Sequence, residues 1–403
     1  MAAQKTMKIL HTVEFYNPST GGAQEVVRQI SEELVRRGHG VTVATTNLPE
    51  RKNAIINGVR IESFAISGNC VRGCVGETAR YQEFLMSKDF DVMLNYAAQQ
   101  WATDLAYPIL HMLPYRKLTA PCGFSGLFDG AYESYFRALP NVLRKYDHLI
   151  FHSRSGQDME FTQKHGIRHC SVIPNGASLE EFKEPDLSFR RQYGIPPGQP
   201  LLLTVGSHTG AKGHALVMEA FRRARIGPAT LVIIGNTLGS AGCLPRCRLQ
   251  ARFVRTASFG KKQVLLLNPP RQDVVSAYHS ADLFVFGSNV ECSPIVLFEA
   301  AASRTPFVTT ACGNAAEIAE WTASGEIVAT VRATDGLVHT SAGRMACAIE
   351  DLFSNTLRRQ TMAEAGYEAW RNRFSWEKIA QQYEQLYLQL VEQGPSPALH
   401  KIH

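Results

Sequence analysis

Two carboxylates stand out by their spacing. The stretch Asn289–Ala302, "NVECSPIVLFEAAA", places Glu291 at the mouth of an apolar run and Glu299 inside it. Burying an ionised carboxylate without partners costs several kcal/mol or more, so Glu299 must be paired, turned to water or held for a ligand. Ser293 is a favoured helix cap and Pro294 suits a first helical position, so the sequence predicts a helix beginning there. The first amides of such a helix lack intrahelical partners and favour an anion such as a phosphate. Glu299 then falls in the second turn, leaning back toward the N-terminus, where it can accept hydrogen bonds from a diol such as a ribose. Glu291 faces whatever extends from the other side of the phosphate. The competing reading is a helix-cap loop whose glutamate pairs with a neighbouring arginine.

Two further loops could contact a phosphorylated ligand. In "TVGSHTGAKGHALVMEAF", Gly206 ends a strand and Lys212–Gly213 precede a helix. A lysine at that turn can neutralise a diphosphate, although the spacing is not that of a Walker A loop. In "NPSTGGAQEVV", Gly21 and Gly22 let backbone approach a ligand and place another helix N-terminus beside it. The pattern is not G-x-G-x-x-G and no acidic residue follows the second strand, which disfavours a dinucleotide. Nine cysteines are scattered without a dense framework, as suits reduced thiols. Cys70/Cys74 and Cys243/Cys247 form C-x3-C pairs, but no neighbouring histidine pattern completes four ligands, so structural thiols and no metal are expected. Asp89 and Asp91 in "KDFDVM" form a D-x-D at a strand entry, away from strand carboxyl ends, and are read as structural.

These loops need a scaffold. The 403 residues are 45% apolar and 19% charged, as in a soluble globular chain of about two domains. Short β-rich runs alternate with helical patterns, the signature of parallel α/β sheets. "AQEVVRQISEELVRRG" carries Val26, Val27, Ile30, Leu34 and Val35 at helical spacing and stops at Gly38. The expected class is α/β, with one Rossmann-like domain over 1–190 and a second over 195–375. A polar, proline-rich hinge, "KEPDLSFRRQYGIPPGQP", joins them. A helix over 376–392 returns to the first domain, and 393–403 reads as a flexible tail. Ligands of open α/β sheets bind at strand carboxyl ends, where all the loops above fall.

The net charge of +6 is uneven: no acidic residue lies between Glu219 and Asp273, yet ten Arg or Lys do, among them Arg222, Arg246, Arg252, Lys262 and Arg271. A solvated face or attraction of an anionic substrate or membrane fits this stretch. Nucleic acid does not, because no aromatic platform or recognition-helix pattern accompanies the charge. No apolar run approaches the roughly 20 residues that span a bilayer, and the N-terminus lacks a signal-like apolar region, so a cytoplasmic protein is expected.

The motifs "GGAQ", "RRGHGVTVATT", "SVIPNGASLEEF", "VGSHTGAKGH", "ECSPIVLFEAAASRTPFVTTACGNAAEI" and "FSWEKIAQQYEQLY" occur in an order that resembles the retaining GT-B glycosyltransferases of family 4 over nearly the whole chain. The resemblance implies two Rossmann-like domains facing a central cleft, with a nucleoside diphosphate sugar held mainly by the second and a UDP-sugar favoured over a GDP-sugar. Carried over by position, Glu299 binds the ribose hydroxyls, Glu291 lies by the donor sugar and Lys212 contacts the diphosphate. Gly206, Ser207 and the backbone of Ser293, Pro294, Ile295 and Val296 border phosphate or sugar, Gly21 and Gly22 approach from the opposite domain, and Gly235 and Asn268 neighbour the base. Catalytic candidates are Glu291, Lys212 and Cys122.

Two positions depart from the family pattern. Ser207, followed by His208, stands where relatives carry an arginine, so the second diphosphate cation is missing from its expected place; another basic side chain could supply it, and the basic stretch offers candidates. Cys122 stands where relatives often have histidine, and a thiol is a poorer partner for a sugar hydroxyl than imidazole. The implied reaction is front-face transfer with retention, the departing diphosphate taking the acceptor's proton and no cofactor or metal required. The acceptor is a carbohydrate or lipid-linked hydroxyl in polysaccharide or glycolipid synthesis. The stripe Tyr132, Tyr135, Phe136, Leu139, Val142, Leu143 and Tyr146 is either core or a surface for peripheral contact with the inner membrane face. A non-catalytic GT-B binding subunit and a related sugar-nucleotide epimerase are the alternatives.

Overall fold

The computed structural model describes residues 5–87, 89–237 and 242–394; most of the expected tail, from 395 on, lies outside them. The chain forms two compact units, Met1–Asn175 with Trp376–His403, and Gly176–Ser375. Among the described residues, no helix is long and apolar enough to cross a membrane.

The first unit is built on strands β1 (Lys8–Thr12), β2 (Gly40–Thr46), β3 (Ile55–Ile56), β4 (Val59–Phe64), a β5–β6 hairpin (Ile66–Asn69 and Gly73–Gly76), β7 (Val92–Tyr96), β8 (Arg116–Ala120), β9 (His148–Phe151) and β10 (Cys170–Val172). Its main sheet runs β10-β9-β8-β7-β1-β2-β4-β3, parallel except for β3. The strand order reverses between β1 and β7. Every residue of β7 and β8 is buried, as befits central strands covered on both faces.

The Gly22–Arg36 helix turns Val26, Val27, Ile30 and Leu34 inward. Beyond its end, Gly38 adopts φ +91°, a conformation that favours glycine. This helix packs against the final one, Trp376–Glu392. Buried Glu384 joins the pair by accepting from Arg37 at 2.5 Å and from His39 at 2.8 Å. Fully buried His11 sits between Ser31 Oγ at 2.8 Å and Tyr387 Oη at 3.2 Å.

Burial lowers the His11 imidazole from its ordinary 6.5 to about 3. Below pH 6.5 the unfolded chain therefore binds a proton that the folded chain refuses, and stability is lost as pH falls from about 6.5 toward 3 at up to roughly 1.4 kcal/mol per unit. Replacing the group should remove this component: the stability of His11→Gln relative to wild type rises as the pH drops from 7 to 5. Hydrogen exchange in β1 and the final helix reports it.

The stripe from Tyr132 to Tyr146 is core. Tyr132, Tyr135, Phe136, Leu139, Leu143 and Tyr146 are all buried, whereas exposed Arg137 pairs with Glu133. The apolar face that would meet a membrane is thus already covered. Asp91 accepts from the Lys8 amide at 2.7 Å, which fits its reading as a strand-entry residue.

The second unit contains β11 (Leu201–Val205), β12 (Ala229–Ile234), β13 (Lys262–Leu267), β14 (Leu283–Phe286), β15 (Phe307–Thr310) and β16 (Gly325–Val328), all parallel in the order β13-β12-β11-β14-β15-β16. Leu202, Leu231, Ile233, Val285 and Val308 form its core with Val217, Phe221 and Ile349 from helices. Each unit is thus a doubly wound, Rossmann-like sheet, the α/β class expected.

Candidate functional site

In the second unit the strand order reverses between β11 and β14. A crevice opens at the carboxyl ends of strands at such a switch point, and ligands bind there. The loop after β11 carries Gly206, Ser207 and Lys212; the loop after β14 carries Glu291 and Ser293. Topology alone therefore brings the two most informative loops together.

They are fastened to each other. The Asn289 amide donates to Ala211 O at 2.8 Å, and Ser288 Oγ lies 3.1 Å from the same carbonyl oxygen. Gly213, at φ +67°, passes so close to Gly287 that an added Cβ would stand 1.8 Å from its carbonyl oxygen. Across this seam Lys212 Nζ meets Glu291 Oε1 at 2.6 Å, and Ser288 Oγ donates to the same carboxylate oxygen at 2.8 Å. The lysine stem runs along Gly206, where a Cβ would press on it at 3.2 Å. Gly206 is in turn backed by Gly235 after β12, where a Cβ would meet the Gly206 carbonyl at 2.0 Å. Asn268 follows β13 and is exposed.

Glu299 is buried among Leu297, Phe298 and Ala300. Its partner is Arg271, at 2.5 Å, which also holds Glu181 at 2.7 Å. Burial opposes the guanidinium charge, but the two carboxylates outweigh it and hold it well above its ordinary range. Fully buried Tyr278 donates its hydroxyl to the Val296 carbonyl at 3.4 Å, and its phenol is pushed well up by burial and then by the nearby Glu299 carboxylate. The arginine-paired reading of Glu299 is therefore realised. It does not exhaust the residue, because a carboxylate offers about four lone-pair positions.

One expectation needs correction. The helix is Ile295–Ala302, its cap residue is Pro294 in extended conformation, and no side chain caps it. Ser293 lies one residue further out and buried, because proline ψ at 108° starts the helix only after it. Ile295 and Val296 thereby become the first-turn residues, half-buried at the end of the loop.

The basic stretch resolves into separate tasks. Arg222 and Arg223 pair with Glu219, Arg225 with Glu350, and Lys262 donates to the Phe221 and Ala224 carbonyls. Arg246, Arg248, Arg252 and Arg255 lie exposed on the Leu244–Ala257 helix. Arg271 alone of the ten reaches a predicted site residue.

Sequence reasoning named the stretch without singling Arg271 out; its signal was its place at the start of the helix after β13, the strand whose loop was expected to border the base. Glu181, in "SLEEF", was missed as its second partner. His208 and His214 were missed as neighbours of the Cys243/Cys247 pair: the four ligand atoms all lie within 4.8 Å of one another. The expectation that no histidine completes that set held for sequence neighbours only. The one connection that follows β11 supplies both, His208 within the loop and His214 at the start of the next helix.

Gly21, Gly22 and Cys122 belong to the first unit. Gly21 is the cap residue of the Gly22–Arg36 helix after β1, one of that unit's switch-point strands, and open space surrounds the Cβ position of Gly22. Cys122 follows β8 with φ +59°, half-buried, beside a Gly123 amide held by Asp158.

Comparison with known proteins agrees with this architecture. The family model Glycosyltransferase Family 4 matches residues 20–181, and that of Glycosyl transferases group 1 matches residues 186–369. D-inositol 3-phosphate glycosyltransferase of Xylanimonas cellulosilytica is 22% identical over 97% of this chain and 97% of its own length. The protein of the same name from Corynebacterium urealyticum is 29% identical over 56% of this chain, and the match spans about half of that protein, 53%. Among solved structures, sucrose-phosphate synthase from Thermosynechococcus elongatus superposes with a TM-score of 0.79 at 19% identity, covering 96% of this chain and 100% of that one. Anabaena HepE in complex with UDP-glucose gives 0.74 at 17% identity, over 95% and 100%. Two successive family models, matched in order onto two doubly wound units, place the chain in the family 4 glycosyltransferases, with the GT-B fold.

Proposed function

We propose that this chain transfers a glycosyl unit from a nucleoside diphosphate sugar, a UDP-sugar in preference to a GDP-sugar, to an acceptor hydroxyl with retention of anomeric configuration. The observation that carries this reading is the seam at the β11/β14 switch point, where Lys212 and Glu291 meet at 2.6 Å beside the first turn of the Ile295–Ala302 helix. Lys212 has three N–H donors, so it can hold Glu291 and still donate to a diphosphate. With the first-turn amides of the helix it stabilises charge developing on the leaving group. Glu291, anchored by Lys212 and Ser288, positions the donor sugar. Glu299, steadied by Arg271, accepts from the ribose hydroxyls. The preference for UDP is supported by the UDP and UDP-glucose in the HepE structures. In this mechanism the acceptor proton leaves with the diphosphate, and no metal or other cofactor is required.

The acceptor class we favour is a carbohydrate or lipid-linked hydroxyl of polysaccharide or glycolipid synthesis. With the Tyr132–Tyr146 stripe buried, contact with the acidic inner membrane face falls to the Leu244–Ala257 helix, whose exposed arginines flank Leu249 and Phe253, 66% and 56% exposed. Cys122 borders the acceptor side in this reading.

The test is a transfer assay with UDP- and GDP-sugars against simple glycoside and lipid-linked acceptors, with the product's anomeric centre read by NMR. Transfer from a UDP-sugar with retained configuration, undiminished when no magnesium or manganese is added, is expected. Inversion, or strict dependence on the added cation, would overturn the mechanism.

A further inference from the structure

We propose that His208, His214, Cys243 and Cys247 bind one zinc ion as a closed structural site. Four of the six distances between the ligand atoms are those that such a site demands. His208 Nδ1 and His214 Nδ1 are 3.2 Å apart, and Cys243 Sγ and Cys247 Sγ are 3.6 Å apart. Cys243 Sγ lies 3.6 Å from His208 Nδ1 and 3.9 Å from His214 Nδ1, and every remaining pair falls within 4.8 Å. Zinc–sulfur bonds of about 2.3 Å and zinc–nitrogen bonds of about 2.0–2.1 Å in a tetrahedron give edges of about 3.8 Å for S···S, about 3.3 Å for N···N and about 3.6 Å for S···N. The four measured edges match those three lengths within a few tenths of an ångström.

The placement is also that of a metal site. His208, His214 and Cys247 are buried, at 1%, 2% and 2% exposure, and Cys243 is half-buried. The two cysteines lie one turn apart at the start of the Leu244–Ala257 helix, so both thiols share a face. His208 comes from the loop after β11 and His214 is the first residue of the His214–Arg223 helix. The spacings H-x5-H and C-x3-C fall within those of Cys2His2 zinc sites, with the pairs in reverse order. Hydrogen bonding alone does not explain four mutually close lone-pair atoms, because a chain of donors and acceptors needs only successive neighbours in contact. Thiolates and neutral imidazoles around one divalent ion satisfy all four together.

A site with four protein ligands leaves no open position for a substrate, so the metal acts on structure. His208 and His214 bracket Lys212 in sequence, and the ion would tie both ends of that loop to the Leu244–Ala257 helix. This assignment rests on ligand geometry alone and stands whether or not the donor reading is correct.

The test uses the full chain without a histidine tag. About one zinc per chain is expected by mass spectrometry of the purified protein. After chelation, cobalt(II) should restore the intense visible bands of a tetrahedral ion together with thiolate-to-cobalt charge transfer in the near ultraviolet. The double variant Cys70→Ser/Cys74→Ser, which removes the other C-x3-C pair, should retain both the zinc and the cobalt spectrum. Cys243→Ser should lower the metal content more than about tenfold, the minimum expected when even an outer-shell change costs that much. Protein that is metal-free as purified and gives no tetrahedral cobalt spectrum would overturn the proposal. So would loss of the spectrum in Cys70→Ser/Cys74→Ser, a result that needs no variant of the site to fold.

Discussion

Lys212→Ala is expected to lower donor turnover by about 10²–10³-fold, the usual loss when one stabiliser of a developing oxyanion is removed. Donor KM should change much less. The split follows from the chemistry: charge on the diphosphate grows as the glycosidic bond breaks, so the lysine contributes more to the transition state than to the bound donor. Fold stability should fall little, because the Lys212–Glu291 pair is partly exposed, 29% and 13%, and Glu291 keeps its bond from Ser288. Steady-state hydrolysis of the UDP-sugar without acceptor, compared with circular dichroism melting, separates these effects. Lys212→Arg should recover only part of the rate, since a planar guanidinium cannot reproduce a point charge on the same stem. A loss confined to KM would assign the lysine to ground-state binding instead.

Glu299→Ala should weaken nucleotide binding by about 10–100-fold, the equivalent of roughly 1.5–3 kcal/mol for hydrogen bonds to a charged group. This variant also takes one carboxylate from Arg271, which keeps Glu181 at 2.7 Å. A structural role and a ribose role therefore need separate readouts. The wild-type chain should prefer UDP over its 2′-deoxy counterpart, and Glu299→Ala should lose that preference. Loss of melting temperature with the preference intact would reduce Glu299 to an ion-pair partner.

Much of the fold was legible because parallel strands buried on both faces read as apolar runs, as in "LLLTVG" and "TLVIIG". Helices with one buried face read by period, as Val26 to Leu34 show. The loops at the β11/β14 switch point were legible for the same reason: strand ends are easily found, and chemistry collects at them. What the sequence concealed was pairing over distance. Arg271 lies 28 residues from Glu299 and meets it at 2.5 Å, and only its place at the start of the helix after β13 distinguishes it from nine other basic residues. The His208, His214, Cys243 and Cys247 cluster was hidden likewise, since its two pairs lie on separate crossovers that only the sheet order joins. The Ser293 cap failed on a smaller scale, where one proline's conformation shifted the helix start.

The central claim is that the β11/β14 switch point of the second unit is a nucleoside diphosphate site. Calorimetric titration of UDP into the wild-type chain and into Glu299→Ala and Lys212→Ala tests it most directly. The expected result is saturable one-to-one binding to wild type that both substitutions weaken while the folded fraction stays unchanged. Absence of binding for every nucleoside diphosphate tried, or binding that neither substitution alters, would contradict it.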